Sequence, residues 1–256
     1  MRMTGVKITV VGTVAVHEGE KILLERELPG NQGRLVLAML AVERRHPISR
    51  DRLADELWPD RLPKSWELAL RSIVSKIRRA ATRAGLDSRL IEGAFGCYQL
   101  RVREPDVDFE TAARSLHEAE ALLAKGEAGR AAVSAIMTCI IGRRPLLPGL
   151  YNPWTLDQRE RLRDLHVAAR ELLADAHAEL GDWGLSARHA AAALGLDPYS
   201  EKLHQRLIVA RARSGDRLGA AHVFSRYRAL IEADLGIAPS KETVALVEKE
   251  LRQPLA

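Results

Sequence analysis

Apolar and polar positions alternate with two different periods along the first hundred residues. KITVVGTVAV is rich in β-branched residues and predicts extended chain. HEGE predicts a turn and KILLEREL a return strand, so a small sheet over residues 6–28 comes first. GRLVLAMLAVERR at 33–45 predicts a compact helix that stops before Pro47. ISRDRLADELWPD predicts a second helix, capped by Ser49, with Leu53, Leu57 and Trp58 on one face and its end at Pro59. After the loop PDRLPK, Ser65 is predicted to cap a longer third helix running to about residue 83. At roughly 100° per residue, Trp66, Leu70, Ile73, Val74 and Ile77 fall on one arc of it. Arg71, Ser72, Ser75, Lys76, Arg78, Arg79 and Arg83 fall on the opposite arc. RLIEGAFGCYQLRV at 89–102 then predicts a β-hairpin around the turn EGAFG.

From Asp106 onward the pattern changes to Ala- and Leu-rich helices, which places a domain boundary at the REPD turn, 103–106, and predicts domains 1–105 and 106–256. Three junctions repeat within the second part: Gly126-Glu127, Gly181-Asp182 and Gly215-Asp216, followed by Ala132, Ala187 and Ala221. The last two glycines are 34 residues apart, the period of tetratricopeptide helix pairs. The first is out of register across the Pro-rich break at 143–154. Trp154, Trp183, Tyr199 and Tyr227 are expected to wedge the repeat helices. His166, His177, His189, His204 and His222 read as packing or surface residues, because no carboxylate and nucleophile accompany them. The fold class expected is mainly α: an N-terminal winged helix-turn-helix (α+β) followed by an all-α tetratricopeptide-like helical repeat domain.

Charge sharpens this picture through its placement. The 256 residues carry a net +5, but residues 1–105 hold 19 Lys and Arg against 13 Asp and Glu, and the remainder 20 against 21. Residues 61–89 supply eight cations against Glu67 and Asp87, a local basic surface suited to a polyanion such as nucleic acid. Cys97 and Cys139 stand apart with no CxxC or metal-spaced His pair, so neither a disulfide framework nor zinc is indicated. The longest apolar run, LVLAMLAV, is far short of the roughly 20 residues of a membrane span. The opening VKITVVGTVAV continues as strand rather than as a signal peptide, so a cytoplasmic protein is expected. No activated nucleophile, metal cluster or GxxxxGK[ST] loop is visible, which argues against an enzyme and against a cofactor.

Sheet, two helices, a basic helix and a hairpin is the order of a winged helix-turn-helix. In that fold the third helix lies in the major groove, and the hairpin reaches the adjoining groove or backbone. Expected DNA contacts are Lys64, Ser65, Trp66, Arg71, Ser72, Ser75, Lys76, Arg78, Arg79 and Arg83, with Phe95 and Gly96 on the wing. Arg71, Ser72, Ser75, Lys76 and Arg79 would face bases, and Arg78, Arg83 and Lys64 phosphates. The competing reading is a protein-interaction scaffold whose helical-repeat groove binds a peptide, the basic helix being a solvated face.

ISRDRLADELWPD, SIVSKIRR and GCYQLRV, followed by a helical region ending in ADLGIAPSKETVALVEKEL, resemble the Streptomyces antibiotic regulatory protein (SARP) family of transcriptional activators. The resemblance spans nearly the whole chain. Its most specific marks are Leu57-Trp58, the segment Val74-Ser75-Lys76-Ile77-Arg78 where the family has V-S-R-L-R, and the closing Asp234-Leu235-Gly236-Ile237 with Pro239-Ser240. It implies an OmpR-type winged helix joined to a bacterial transcriptional activation domain. It further implies a homodimer on tandem DNA repeats near promoters and recruitment of RNA polymerase holoenzyme to secondary-metabolite genes. In OmpR-type relatives polymerase meets the loop that corresponds here to Asp60, Arg61 and Leu62. Lys76 departs from the family's Arg and removes a bidentate fork. The ATPase module of larger relatives is not found in this sequence.

Overall fold

The computed structural model describes residues 5–102 and 106–252, so residues 103–105 of the expected boundary turn lie outside the described chain. The elements are β1 (Val6–Thr9), β2 (Ala15–Glu18), β3 (Lys21–Leu23), α1 (Gly30–Val42), β4 (Ile48–Ser49), α2 (Arg50–Leu57), α3 (Trp66–Arg83), β5 (Ile91–Ala94), β6 (Cys97–Leu100) and β7 (Asp106–Val107). Helices α4 (Asp108–Leu123), α5 (Ala128–Gly142), α6 (Pro153–Glu179), α7 (Trp183–Leu194), α8 (Glu201–Arg213), α9 (Arg217–Leu235) and α10 (Lys241–Arg252) follow. They form two compact units. One holds the chain up to Ala112 together with Ile141–Leu162, and the other holds Ala113–Ile140 and the chain from Arg163 onward.

The first unit is a winged helix-turn-helix. Its four-stranded sheet has the order β3-β2-β1-β7, with β1 antiparallel to β2 (Ile8 opposite Val16) and parallel to β7. The alternation Ile8, Val16 and Leu23 points inward and is fully buried. The expected return strand KILLEREL is shorter than its pattern suggests. After Leu23 the chain closes a 3-10 turn over Glu25–Glu27, because Glu25 accepts the Val14 N–H and Glu27 the Leu24 N–H. Helix α1 begins three residues earlier than its pattern and buries Leu35 through Ala41 on nearly all sides, making it the central core helix. A second sheet, β4-β6-β5, carries the hairpin, and its third strand is the two-residue Ile48–Ser49.

Residues 141–162 pack with this unit, although the sequence boundary placed them in the second domain. Leu146 and Leu147 are fully buried in its core, and the Val11 and Leu146 backbones form a β-bridge. Trp154, expected among the repeat helices, belongs to the same core, and its indole N–H donates to Glu43 at 2.8 Å. Glu56 of α2 accepts from the Asn152 amide and from the Trp154 backbone N–H. An Asp108 carboxylate buried in this unit accepts the N–H groups of Val10, Val11 and Phe109, and its pKa is pushed up by burial against the pull of those donors.

The second unit is all helical and tetratricopeptide-like. Helix α8 packs on α7 and on α9, and the repeated junctions join α6 to α7 and α8 to α9. Gly181 and Gly215 take left-handed φ of 75° and 90°, which a residue without Cβ adopts freely. Asp182 and Asp216 then cap the next helix by accepting the N–H of Leu185 and Gly219. Small residues fill the helix contacts, with Ala119, Ala131, Ala135, Ala169 and Ala176 buried in one cluster. Three of the histidines pack through their rings, while His222 is exposed. His204 stacks on Tyr227 at 4.2 Å, and His177 lies parallel to His189 at 5.3 Å.

Candidate nucleic-acid interface

Helix α3 is made by its sequence to have two unlike faces. Leu70, Ile73, Val74, Ile77, Ala80 and Ala81 are buried against the first unit's core, contributing about 1.5–3 kcal/mol for each large side chain. Trp66 is half-buried and packs on the same core, so it stands on the apolar arc rather than among the exposed contacts. Ser65 occupies the N-cap position, but its hydroxyl makes no capping hydrogen bond. Lys64 and Ser65 are both exposed at this end of the helix, where unpaired N–H groups favour an anion. The 18 residues of α3 span about 27 Å.

The other face is exposed and cationic. Ser72, Ser75, Lys76, Arg79 and Arg83 all face solvent and have no intramolecular hydrogen bond or ion pair among the described residues. Arg71 sits beside Glu67 at 3.5 Å, and both side chains are more than half exposed, so the pair is weak and readily exchanged. Glu67 is the one carboxylate on the helix.

Arg78 differs from its neighbours. It is half-buried, and its Nε–H donates to the Ile91 carbonyl at 3.0 Å, tying α3 to the base of the hairpin. It was expected near phosphates; its Nε–H is engaged by the fold. Position 78 follows Val74 by four residues, so it borders the buried arc. Conversely, Leu68 lies in the middle of the cationic face and is 67% exposed, an apolar residue that the pattern passed over.

The hairpin turns at Phe95-Gly96, both with positive φ (49° and 76°), and Phe95 stands free of its surroundings. Beneath the turn Tyr98 is buried, and Gly93 lies so close to its ring that a Cβ would approach within 2.9 Å. The loop residues Asp60, Arg61 and Leu62, between α2 and α3, are exposed. No group of metal-ligating side chains occurs among the described residues, and no described helix is long and apolar enough to cross a membrane.

One groove of the second unit, about 330 Å³, is lined by Asp175, Trp183, Lys202 and Arg206 among others. Its charges are satisfied internally. Arg206 binds Asp175 through two hydrogen bonds of 2.6 and 2.7 Å and reaches Glu171 at 2.8 Å, while Lys202 also meets Glu171.

Comparison with known proteins matches residues 107–251 to the bacterial transcriptional activator domain. The chain is 25% identical over 248 residues to the regulatory protein AfsR of Streptomyces griseus, covering 96% of this chain and 24% of that one. It is 28% identical over 234 residues to the transcriptional regulatory protein EmbR of Mycobacterium tuberculosis, covering 86% of this chain and 57% of that one. The solved structure of Mycobacterium tuberculosis EmbR in complex with a low-affinity phosphopeptide superposes with a TM-score of 0.86 at 25% identity, over 98% of this chain and 66% of the other. The chain thus spans a quarter of one curated relative and little more than half of the other.

Proposed function

Since this chain belongs to the bacterial transcriptional activator domain family and is of the SARP type, a transcriptional regulator, we propose that it binds DNA in a sequence-specific manner and activates transcription from nearby promoters. The observation that carries this reading is the exposed face of α3: five unpartnered polar or cationic side chains, with Arg71 beside them, on a helix whose opposite face is locked into the core. Such a face presents forks and point charges to guanine edges and phosphates, with only the exposed Arg71–Glu67 pair to exchange.

Arg71, Ser72, Ser75, Lys76 and Arg79 face the bases, and Lys64 and Arg83 hold phosphates at the two ends of the helix. Leu68 meets a thymine methyl, the apolar feature of the major groove. Residues 1–105 are the DNA-binding domain and 106–256 the activation domain. A homodimer occupies tandem repeats, and the exposed Asp60-Arg61-Leu62 loop and the helical repeats touch RNA polymerase holoenzyme. Secondary-metabolite genes in the cytoplasm of the producing cell are the targets. The scaffold reading is less well supported, because the charges of Asp175, Lys202 and Arg206 in one groove of the repeats are already paired within the fold.

The test is charge reversal. Arg71→Glu with Arg79→Glu should abolish duplex binding while leaving the fold intact, since both side chains are exposed. Unchanged duplex binding by the double variant would overturn the assignment of α3 as the reading helix.

A further inference from the structure

The hairpin tip carries a residue that folding alone does not favour. A two-residue connection with positive φ at both positions is a type I′ turn, where Asn-Gly and Asp-Gly are preferred. Phe95 holds φ 49° at the first of these positions, a strained conformation for a bulky side chain. Its ring gains nothing in return, being fully exposed at 104%, the highest value of any large apolar residue described. The ribbon beneath it is firm. Arg50 N–H donates to the Gly96 carbonyl at 2.9 Å, the Arg50 guanidinium lies over the Tyr98 ring at 5.5 Å, and Arg78 anchors Ile91 at the strand's start. The carboxylate of the hairpin, Glu92, is engaged by Arg101 and leaves the tip uncharged.

We propose that Phe95 is a wedge: its ring enters the minor groove beside the major-groove site of α3, inserts part-way between two base pairs, and bends the duplex. A narrow, rigid ribbon ending in one uncharged aromatic fits this use. Apolar side chains inserted at base steps unstack and kink DNA, and every base offers a π-face to such a ring. Flexible pyrimidine–purine steps are the preferred entry points, so the wedge adds sequence preference at a step where no base edge is hydrogen-bonded. The inference rests on the DNA-binding reading and adds to it a deformation that the basic helix does not require.

The experiment uses the whole chain and a duplex it enriches from a random-sequence pool, with a dye at each end to report bending by energy transfer and 2-aminopurine to report unstacking. Phe95→Asn suits the turn and should raise Tm by about 2–4 °C, which excludes misfolding as a cause of lost binding. It should weaken binding by roughly 5- to 150-fold, straighten the duplex and quench the 2-aminopurine signal. Phe95→Trp should keep the bend. If Phe95→Asn binds and bends the duplex as the unaltered chain does, the wedge is overturned while DNA binding stands. The wedge is equally overturned if that variant loses only transcription with purified polymerase, which would make Phe95 a protein contact. If the unaltered chain enriches no duplex at low salt, the DNA-binding reading fails together with the wedge.

Discussion

Removing the two cations at opposite ends of α3 should change the salt dependence of binding by a calculable amount. Lys64 and Arg83 are exposed, make no internal bond among the described residues, and stand about 27 Å apart along the helix. Replacing either by Ala should therefore alter folding stability by less than about 0.5 kcal/mol, and the two effects should add. Each cation that neutralises a phosphate contributes about 0.9 to the slope of log K against log salt. The double variant should lose about 1.8 from that slope. Over a fourfold rise in salt, from about 50 to 200 mM, its affinity should fall roughly 12-fold less than that of the unaltered chain. Fluorescence anisotropy titrations on an enriched and a scrambled duplex would give the slope on each, and the loss should be equal on both because phosphates carry no sequence. Arg79→Ala should behave differently, costing about 1–3 kcal/mol on the enriched duplex at one base pair and far less on the scrambled one. An unchanged slope in the double variant, or equal losses on both duplexes from Arg79→Ala, would refute this division of roles.

Three further outcomes are expected. Arg78→Ala should destabilise the first unit by about 1–3 kcal/mol in thermal or urea unfolding, because the Ile91 carbonyl loses its donor, while leaving the salt slope of binding unchanged. Replacing the contacted thymine by deoxyuridine removes one methyl and should cost the unaltered chain about 0.8 kcal/mol, or roughly fourfold, and Leu68→Ala nothing further; equal sensitivity in both would displace Leu68 from the groove. His189 has its pKa lowered to about 4 by burial and by the charges of Arg170, His177 and Arg188, so its neutral form is favoured in the fold. The stability this confers is present above about pH 6.5 and lost as pH falls toward 4, and His189→Gln should flatten that part of a Tm-against-pH profile.

The amphipathic period made α3 readable because a helix packed on one side must place its large apolar residues three and four apart, and Leu70, Val74 and Ile77 do so. The same arithmetic held the information for Arg78, one turn beyond Val74, and for Leu68, out of phase within the polar arc. Strand β4 was invisible to pattern, since two residues have no period, and only its pairing with Tyr98 and Cys97 defines it. The segment 143–154 reads as a break between helices because three of its twelve residues are proline. What makes Leu146 and Leu147 core residues is a tertiary contact with Val11 and its neighbours, which no local signal encodes. The hairpin was legible, and its turn lies within the EGAFG stretch, but the positive φ at Phe95 was not, because Phe is a residue that turn chemistry argues against there.

The measurement that bears most directly on the central claim is selection of duplexes from a random-sequence pool by the purified chain, followed by sequencing of what is retained. Enrichment of one motif in tandem copies, lost when Arg71 and Arg79 are changed to Glu, is the expected result. Retention of no motif, or of the same motif by the charge-reversed variant, would contradict the account and return the basic face of α3 to a solvated surface.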